Sequence, residues 1–202
     1  MKNKKIQRMT VLAMMMAILL IFMLTPLGYI PVGVLKITTM HIPVILTGMI
    51  LGKKEGMFMG LLFGLTSVVV NTLQPTLTSF VFSPFISLGE AQGNWMSLIV
   101  AILPRVFLGW SSAFLYARLK SRGEHLAIVL GSALSTFCHT FLVLALIYLF
   151  FGQAYASTLG VSYSALITVL MTTVLTNGIL EIIIAVVASL CIVKNMRKMF
   201  KV

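Results

Sequence analysis

The chain has 202 residues, of which 59% are hydrophobic and only 9% charged, and its mean hydropathy is +1.08. Soluble domains carry about 25% charged residues, so this composition excludes an ordinary soluble protein and is typical of repeated membrane crossings of roughly 20 residues each. The net charge of +11 comes from cations at the edges of long apolar runs. They form no basic stripe with interleaved aromatics, so we predict a partner in the lipid bilayer and none in nucleic acid.

Apolar runs separated by Pro, Gly and basic residues predict the elements in chain order. The second run is short, and Pro43 suits its first helical turn because the missing N–H has no partner there. We expect an all-α integral membrane protein, a bundle of six transmembrane helices that forms a single domain over 1–202. The predicted helices are 9–27, 42–51, 56–72, 95–119, 125–151 and 165–193, and the loops 28–40, 73–94 and 152–164 contain one cation between them, Lys36.

The remaining cations predict the orientation of these helices. Every Lys and Arg except Lys36 and Arg105 lies in the N-terminus, the turn at Lys53 and Lys54, the loop between the fourth and fifth helices, or the C-terminus. With six helices, these four segments fall on one side of the membrane, and basic segments remain cytoplasmic. Both termini are therefore predicted to be cytoplasmic.

Catalytic and metal-binding signatures are missing from the sequence. It contains no Asp, and GxSxG, HExxH and Walker A motifs are absent. Cys138 and Cys191 lie within apolar runs and lack metal-ligand spacing. We therefore predict a protein that is not an enzyme and that uses no metal or cofactor.

Arg105 is the most informative residue, because it lies inside the fourth predicted helix, directly after Pro104. A charge at the bilayer centre costs about 2.5–3.5 kcal/mol on insertion scales and therefore faces the bundle interior with a partner. Its guanidinium suits a ligand carboxylate. An internal salt bridge with Glu181, or extension toward the membrane interface, is the alternative.

Polar residues on three other helices form stripes that face the bundle interior. Asn71 follows Ser67 by four residues on the third helix, and His139 follows Ser135 by four on the fifth. Two readings stay open for each residue: contact with a ligand, or an interhelical hydrogen bond of about 0.6 kcal/mol. The sixth helix carries a third stripe, Thr173, Asn177 and Glu181, in which Glu181 is expected to lie deep for a ligand that enters from outside.

The outer loops supply the other candidates. Phe82, Phe85 and Trp95 either cover an organic ligand or belong to the aromatic belt at the membrane interface. His41 either donates a hydrogen bond into a cavity or caps the second helix. The predicted ligand-binding set is Thr39, His41, Asn71, Phe82, Phe85, Trp95, Arg105, His139 and Asn177.

Small residues four positions apart let helix backbones approach closely. Gly56, Gly60 and Gly64 repeat in this way on the third helix, which we expect to pack inside the protein. Ala13 and Ala17 repeat in this way on the first helix and form a candidate docking face for a partner subunit.

Several of these segments resemble a known family. They are Thr38–Ile45 (TTMHIPVI), 60–65 (GLLFGL), Phe80–Phe85 (FVFSPF) and Pro104-Arg105 with Gly109. Over nearly the whole chain the sequence resembles the substrate-binding S components of energy-coupling factor (ECF) transporters, and within that group the pantothenate branch.

The resemblance implies a fold, a ligand and partners. S components of this kind have six helices and bind a vitamin in a cavity near the outer face, closed by the loops after helices one, three and five. They dock through an Ala-x-x-x-Ala motif, matched here by Ala13 and Ala17, on a transmembrane T component with two cytoplasmic ATPases. ATP use by the partners makes the S component topple and release the vitamin inside a prokaryotic cell. An S component for another small carboxylate vitamin, or a stand-alone secondary transporter, is the alternative.

Overall fold

The structure, a computed structural model, describes residues 2–32, 35–88 and 91–200, and these residues are mainly helical. A π-helical segment, Val174–Gly178, joins the last two α-helices into one continuous stretch, and 3-10 turns lie at Ser79–Val81 and Lys120–Arg122. The α-helices of the described residues are α1 (Lys2–Leu24), α2 (His41–Leu51), α3 (Lys53–Leu73), α4 (Trp95–Leu119), α5 (Glu124–Leu159), α6 (Tyr163–Thr173) and α7 (Ile179–Phe200).

Within the described residues, five helical segments are long and apolar enough to cross a membrane. They comprise α1, α3, α4, α5 and the continuous α6–α7 stretch. The exception is α2, which has 11 residues, 10 of them buried. At 1.5 Å per residue it rises about 16 Å, roughly half of a hydrocarbon core about 30 Å thick. The chain is therefore a helical membrane protein, and the helix of its second predicted crossing, α2, is only about half as long as the hydrocarbon core is thick.

The predicted loop after α1 contains an antiparallel hairpin, β1 (Tyr29–Val32) with β2 (Leu35–Thr38). A second hairpin, β3 (Ser87–Leu88) with β4 (Ala91–Gln92), lies in the loop before α4. The sequence analysis placed no strands there, because strands of four residues or fewer are too short to display an alternating pattern. The all-α fold thus carries two small hairpins on its loops.

Helix α5 extends eight residues beyond its predicted end at 151 and takes up half of the predicted loop 152–164. The prediction treated Gly152 as a breaker, but a single glycine is tolerated within a helix. The helix ends instead at Gly160, whose φ of 67° is the left-handed conformation that glycine adopts readily.

Helix α3 packs directly against α4 through its glycines. A Cβ atom at Gly60 would overlap the carbonyl oxygen of Arg105, and one at Gly56 would overlap that of Gly109. Gly64 lies against Ile102 in the same way. Only residues without side chains permit this approach. The prediction that this glycine face packs inside the protein is confirmed, and the contact fixes the height of Arg105 relative to α3.

Two buried apolar clusters leave a polar level between them. One contains Phe63 and Leu108, and the other contains Val100 and Val143. Arg105 lies between Val100 and Leu108 along α4, so its charge falls between the clusters.

The basic segments gather at one end of the bundle. Arg8 forms a salt bridge with Glu55 and donates to the carbonyl of Leu51, while Arg197 donates to the carbonyl of Met49 at 2.8 Å. These bonds satisfy carbonyls that the C-terminus of α2 leaves without helical partners. They bring the starts of α1 and α3 together with the ends of α2 and α7. We name this end of the bundle the basic end.

Candidate ligand-binding site

A cavity of about 180 Å³ lies among α3, α4, α5, the α6–α7 stretch, the end of β2 and the loop after α3. Pockets for drug-sized molecules are larger, about 300–1,000 Å³, so the space suits a small metabolite. One wall is apolar and consists of Val70, Phe82, Val143, Leu144, Ile147 and Tyr155. The remaining lining is polar and consists of Thr38, Ser67, Asn71, Thr76, Thr78, Arg105, His139, Thr140, Thr173, Asn177 and Glu181.

The proline that precedes Arg105 frees the carbonyl group that holds its side chain. In an α-helix each N–H bonds the carbonyl four residues earlier, so Pro104, which has no N–H, leaves the carbonyl of Val100 without that partner. The Arg105 guanidinium donates to this carbonyl at 2.5 Å. The side chain is consequently directed toward the N-terminal end of α4, where the cavity lies.

Two aromatic rings flank the same guanidinium. Its central carbon lies 5.5 Å from the ring centroid of Phe63 and 5.1 Å from that of Phe82, within the range of cation–π attraction. Phe63 belongs to α3, whereas Phe82 belongs to the loop between α3 and α4. Arg105 therefore joins the bundle to the loop while remaining only 6% exposed.

Asn71 forms hydrogen bonds within α3 and to the loop that follows it. Its amide nitrogen donates to the carbonyl of Ser67 at 2.8 Å, and its oxygen accepts from the hydroxyl of Ser79 at 2.8 Å. Thr72 and Ser83 form a second bond between α3 and the loop at 2.7 Å. Asn71 thus anchors the loop to α3 and also lines the cavity.

Glu181 lies in the cavity wall, although the sequence analysis expected it to be deep. One carboxylate oxygen accepts from the backbone N–H of Thr38 at 3.0 Å, and the other accepts from the hydroxyl of Thr140 at 3.3 Å. Both oxygens therefore bond neutral donors from β2 and α5. The cavity accordingly contains a guanidinium on α4 and a carboxylate on α7.

His139 and Asn177 complete the polar lining. His139 is 4% exposed, and its Nε2 atom has no hydrogen-bond partner within the described part of the chain. Asn177 lies in the π-helical segment, where the wider turn accommodates one extra residue; such segments are frequent at functional sites.

The sequence model of one protein family, the ECF transporter substrate-specific component, matches residues 7–193. The chain belongs to this family. It is 38% identical to the pantothenic acid transporter PanT of Lactococcus lactis subsp. cremoris (strain MG1363), over 98% of this chain and 97% of that protein. The resemblance read from the motifs is confirmed, and the chain is a multi-pass membrane protein of a prokaryotic cell.

In this S component, the cavity brings together Asn71, Phe82, Arg105, His139 and Asn177 of the predicted ligand-binding set. The other four residues lie elsewhere. The hydroxyl of Thr39 donates to the carbonyl of Leu27 at 2.6 Å. The ring of His41 is 1% exposed, and its Nε2 lies 3.3 Å from the carbonyl oxygen of Glu181.

Phe85 and Trp95 are the two aromatic candidates outside the cavity, at 76% and 80% exposure. Trp95 is the first residue of α4, a position typical of the aromatic belt at a membrane interface. Both exposed positions therefore fit the aromatic belt better than a cover over an organic ligand.

Of the apolar wall of the S component, sequence reasoning found Phe82 and missed the other members. Val143 and Ile147 follow His139 at intervals of four residues, so a longer stripe along α5 would have revealed them. Tyr155 was out of reach because the prediction ended α5 before it.

Proposed function

We propose that this S component binds pantothenate from outside the cell as the receptor of an ATP-driven importer. Pantothenate carries a carboxylate at one end, two hydroxyls at the other, and an amide and a gem-dimethyl group between them. The observation that supports this ligand is that Arg105 and Glu181 both line one small cavity with an apolar wall. The relative PanT, which is named for pantothenic acid transport, adds support.

Each part of the ligand has a matching group in the proposed complex. The guanidinium of Arg105 binds the carboxylate through charge-assisted bonds, and the nearby His139 donates or accepts according to its tautomer. Asn177 and Glu181 accept from the hydroxyls. Val143 and Ile147 pack against the gem-dimethyl group, which gains by leaving water.

We also propose how the chain lies in the membrane, which partners supply the energy and where they dock. The chain crosses the membrane six times with both termini in the cytoplasm, and a T component with two ATPases supplies the energy for toppling and release. Ala13 and Ala17 are exposed, whereas Val11, Met15 and Leu19 on the opposite face of α1 are buried, so the small-residue face is available to a partner. Uptake into vesicles containing this chain alone would contradict this dependence and favour a secondary transporter.

Calorimetry on the purified chain in detergent tests the ligand, with pantothenate beside other small carboxylate vitamins such as biotin and nicotinate. We expect tight binding of pantothenate alone. Tight binding of a different vitamin would retain the receptor role and replace the ligand, and absence of binding to any of them would contradict the receptor role.

The Arg105→Ala variant tests the carboxylate assignment. Loss of a charge-assisted bond of about 1.5–3 kcal/mol should weaken pantothenate binding by roughly 10- to 150-fold, while the helical circular dichroism stays as in the wild type. The matched control is Arg118→Ala, which removes an exposed cation near the far end of the same helix. Equal affinity in both variants would refute the assignment.

A further inference from the structure

A second cavity, of about 340 Å³, lies at the basic end of the bundle, among α1, α2, α4 and α7. Three cations line it, Arg8, Lys120 and Arg197, and its lining contains no carboxylate. On α4 the wall includes the small residues Ala113 and Ala117, which leave space between the helices. No residue of this wall lines the vitamin cavity, so the two cavities are separate.

Two of the three cations have no carboxylate partner among the described residues. Arg8 is paired with Glu55. The hydrogen bond that Arg197 forms within the described part of the chain goes to the carbonyl of Met49, and the side chain of Lys120 forms none there. The charges of Lys120 and Arg197 are therefore not neutralised by the residues around the cavity.

The ring of Tyr116 brings these two cations together. The central guanidinium carbon of Arg197 lies 5.2 Å from the ring centroid, and the Nζ atom of Lys120 lies 5.8 Å from it. Both distances are within the range of cation–π attraction. The hydroxyl of Tyr116 donates to Glu124 at 3.2 Å, so the ring is fixed at its far end by α5. Two like charges at one ring repel each other, and an anion bound between them would be attracted by both.

Exposed apolar side chains flank the cations along the helices. Ile6 and Met9 lie on either side of Arg8 on α1, and Met199 follows Arg197 by two residues on α7. In a membrane protein, cations next to exposed apolar residues are typical of the level at which acyl chains meet the phosphate headgroups. A ligand that suits this surface combines an anionic group with an apolar tail.

We propose that the cavity at the basic end binds the headgroup phosphate of an anionic phospholipid, with Arg197 and Lys120 as its two cationic contacts. The planar guanidinium suits two phosphate oxygens, and the ammonium group acts as a compact positive charge. A zwitterionic headgroup carries a cation of its own, which the unpaired charges of the cavity repel. This lipid site goes beyond the vitamin cavity and does not depend on which vitamin that cavity takes.

Native mass spectrometry of the purified chain in detergent tests the site by titration with dioleoyl phosphatidylglycerol and with dioleoyl phosphatidylcholine. We expect one phosphatidylglycerol to bind at least about tenfold more tightly than phosphatidylcholine, because each cation near a headgroup contributes about fivefold. Lys120→Gln should therefore weaken phosphatidylglycerol binding about fivefold. Equal affinity of the wild type for the two lipids would overturn the proposal.

The matched control is Arg122→Gln. Arg122 is exposed and belongs to the same 3-10 turn as Lys120, so the variant removes the same charge, but its side chain does not line the cavity. Phosphatidylglycerol affinity should stay within about twofold of the wild type. An equal loss of affinity in Arg122→Gln and Lys120→Gln would show that general charge attracts the lipid, and would also overturn the proposal.

Lys120 is the decisive position because its side chain forms no hydrogen bond with the described residues, whereas Arg197 also holds the end of α2. Circular dichroism and pantothenate affinity should thus be unchanged in Lys120→Gln. Inorganic phosphate and glycerol 1-phosphate separate a lipid from a soluble ligand. Neither should displace phosphatidylglycerol at millimolar concentration, because neither has acyl chains, and displacement by either would overturn the lipid assignment.

Discussion

The carbonyl that Pro104 leaves without a helical partner is the group that orients Arg105. Such a proline ordinarily weakens a helix, because one backbone acceptor stays unsatisfied in a membrane. Here the next residue donates to that acceptor from its own side chain. Pro104 and Arg105 thus act as one unit, because the missing helical hydrogen bond also determines the position of the guanidinium.

The Pro104→Ala variant tests this unit. The new N–H should bond the carbonyl of Val100 and compete with the guanidinium of Arg105. We expect the apparent Tm to rise by a few degrees, because proline in a helix interior costs up to about 3 kcal/mol, while pantothenate binding weakens roughly tenfold. Thermal unfolding and calorimetry measure the two effects, and Leu103→Ala, at an exposed neighbouring position, should leave the affinity within about twofold. Unchanged affinity in Pro104→Ala would show that the proline does not position Arg105.

Contact between α3 and α4 controls the site at the scale of elements. Arg105 is flanked by an aromatic ring on α3, and its backbone lies directly under Gly60. Any change that separates the two helices must therefore move the guanidinium relative to Phe63. The glycine repeat is thus a requirement of the geometry of the cavity as well as of the fold.

Substitution of Gly60 by Ala provides the test. The added Cβ would overlap the Arg105 carbonyl, so we expect destabilisation of about 1–3 kcal/mol and weaker pantothenate binding. Gly178→Ala is the matched control, because a Cβ there would make only ordinary contact, 3.7 Å from the nearest methyl group of Thr140. A Gly60→Ala protein with the wild-type Tm and affinity, measured by thermal unfolding and calorimetry, would contradict the requirement.

Some elements could be predicted from the sequence, and others could not. The bounds of α4 follow directly from its apolar run, and Arg105 stands out because a charge inside such a run needs a partner. His41 was predicted either to donate a hydrogen bond into a cavity or to cap the second helix, whereas tertiary packing places its ring against the backbone of α7. The two hairpins escaped prediction because their strands are too short to show an alternating pattern, and Tyr155 escaped it because Gly152 was treated as the end of α5.

At the scale of the whole molecule, the gathering of cations at the basic end supports the predicted orientation. Three stretches that are distant in sequence, around Arg8, 49–55 and Arg197, meet there through the bonds of Arg8 and Arg197. Meanwhile the other end of α2 and the hairpin both contact Glu181, near the middle of the last span. The hairpin and the short helix α2 are therefore both attached to the last membrane-spanning segment.

Cysteine labelling on intact cells tests this orientation. In a chain with Cys138 and Cys191 replaced by Ala, a membrane-impermeant maleimide should label Gln74→Cys from outside and should label Lys54→Cys only after the cells are opened. These positions flank α3, at the outer loop and the basic end respectively. Labelling of Lys54→Cys on intact cells would reverse the proposed orientation, and labelling of both positions would contradict a crossing by α3.

The helices that are long enough to cross the membrane differ greatly in length. With 36 residues, α5 is about 54 Å long, whereas α3 with 21 residues is about 32 Å. A bilayer measures about 40–45 Å including its headgroups, so α3 matches the hydrocarbon layer while α5 must tilt strongly or stand out of it. Lipids beside α3 and beside α5 therefore face helices of different length, and we expect the resulting mismatch to bias the tilt of the whole protein.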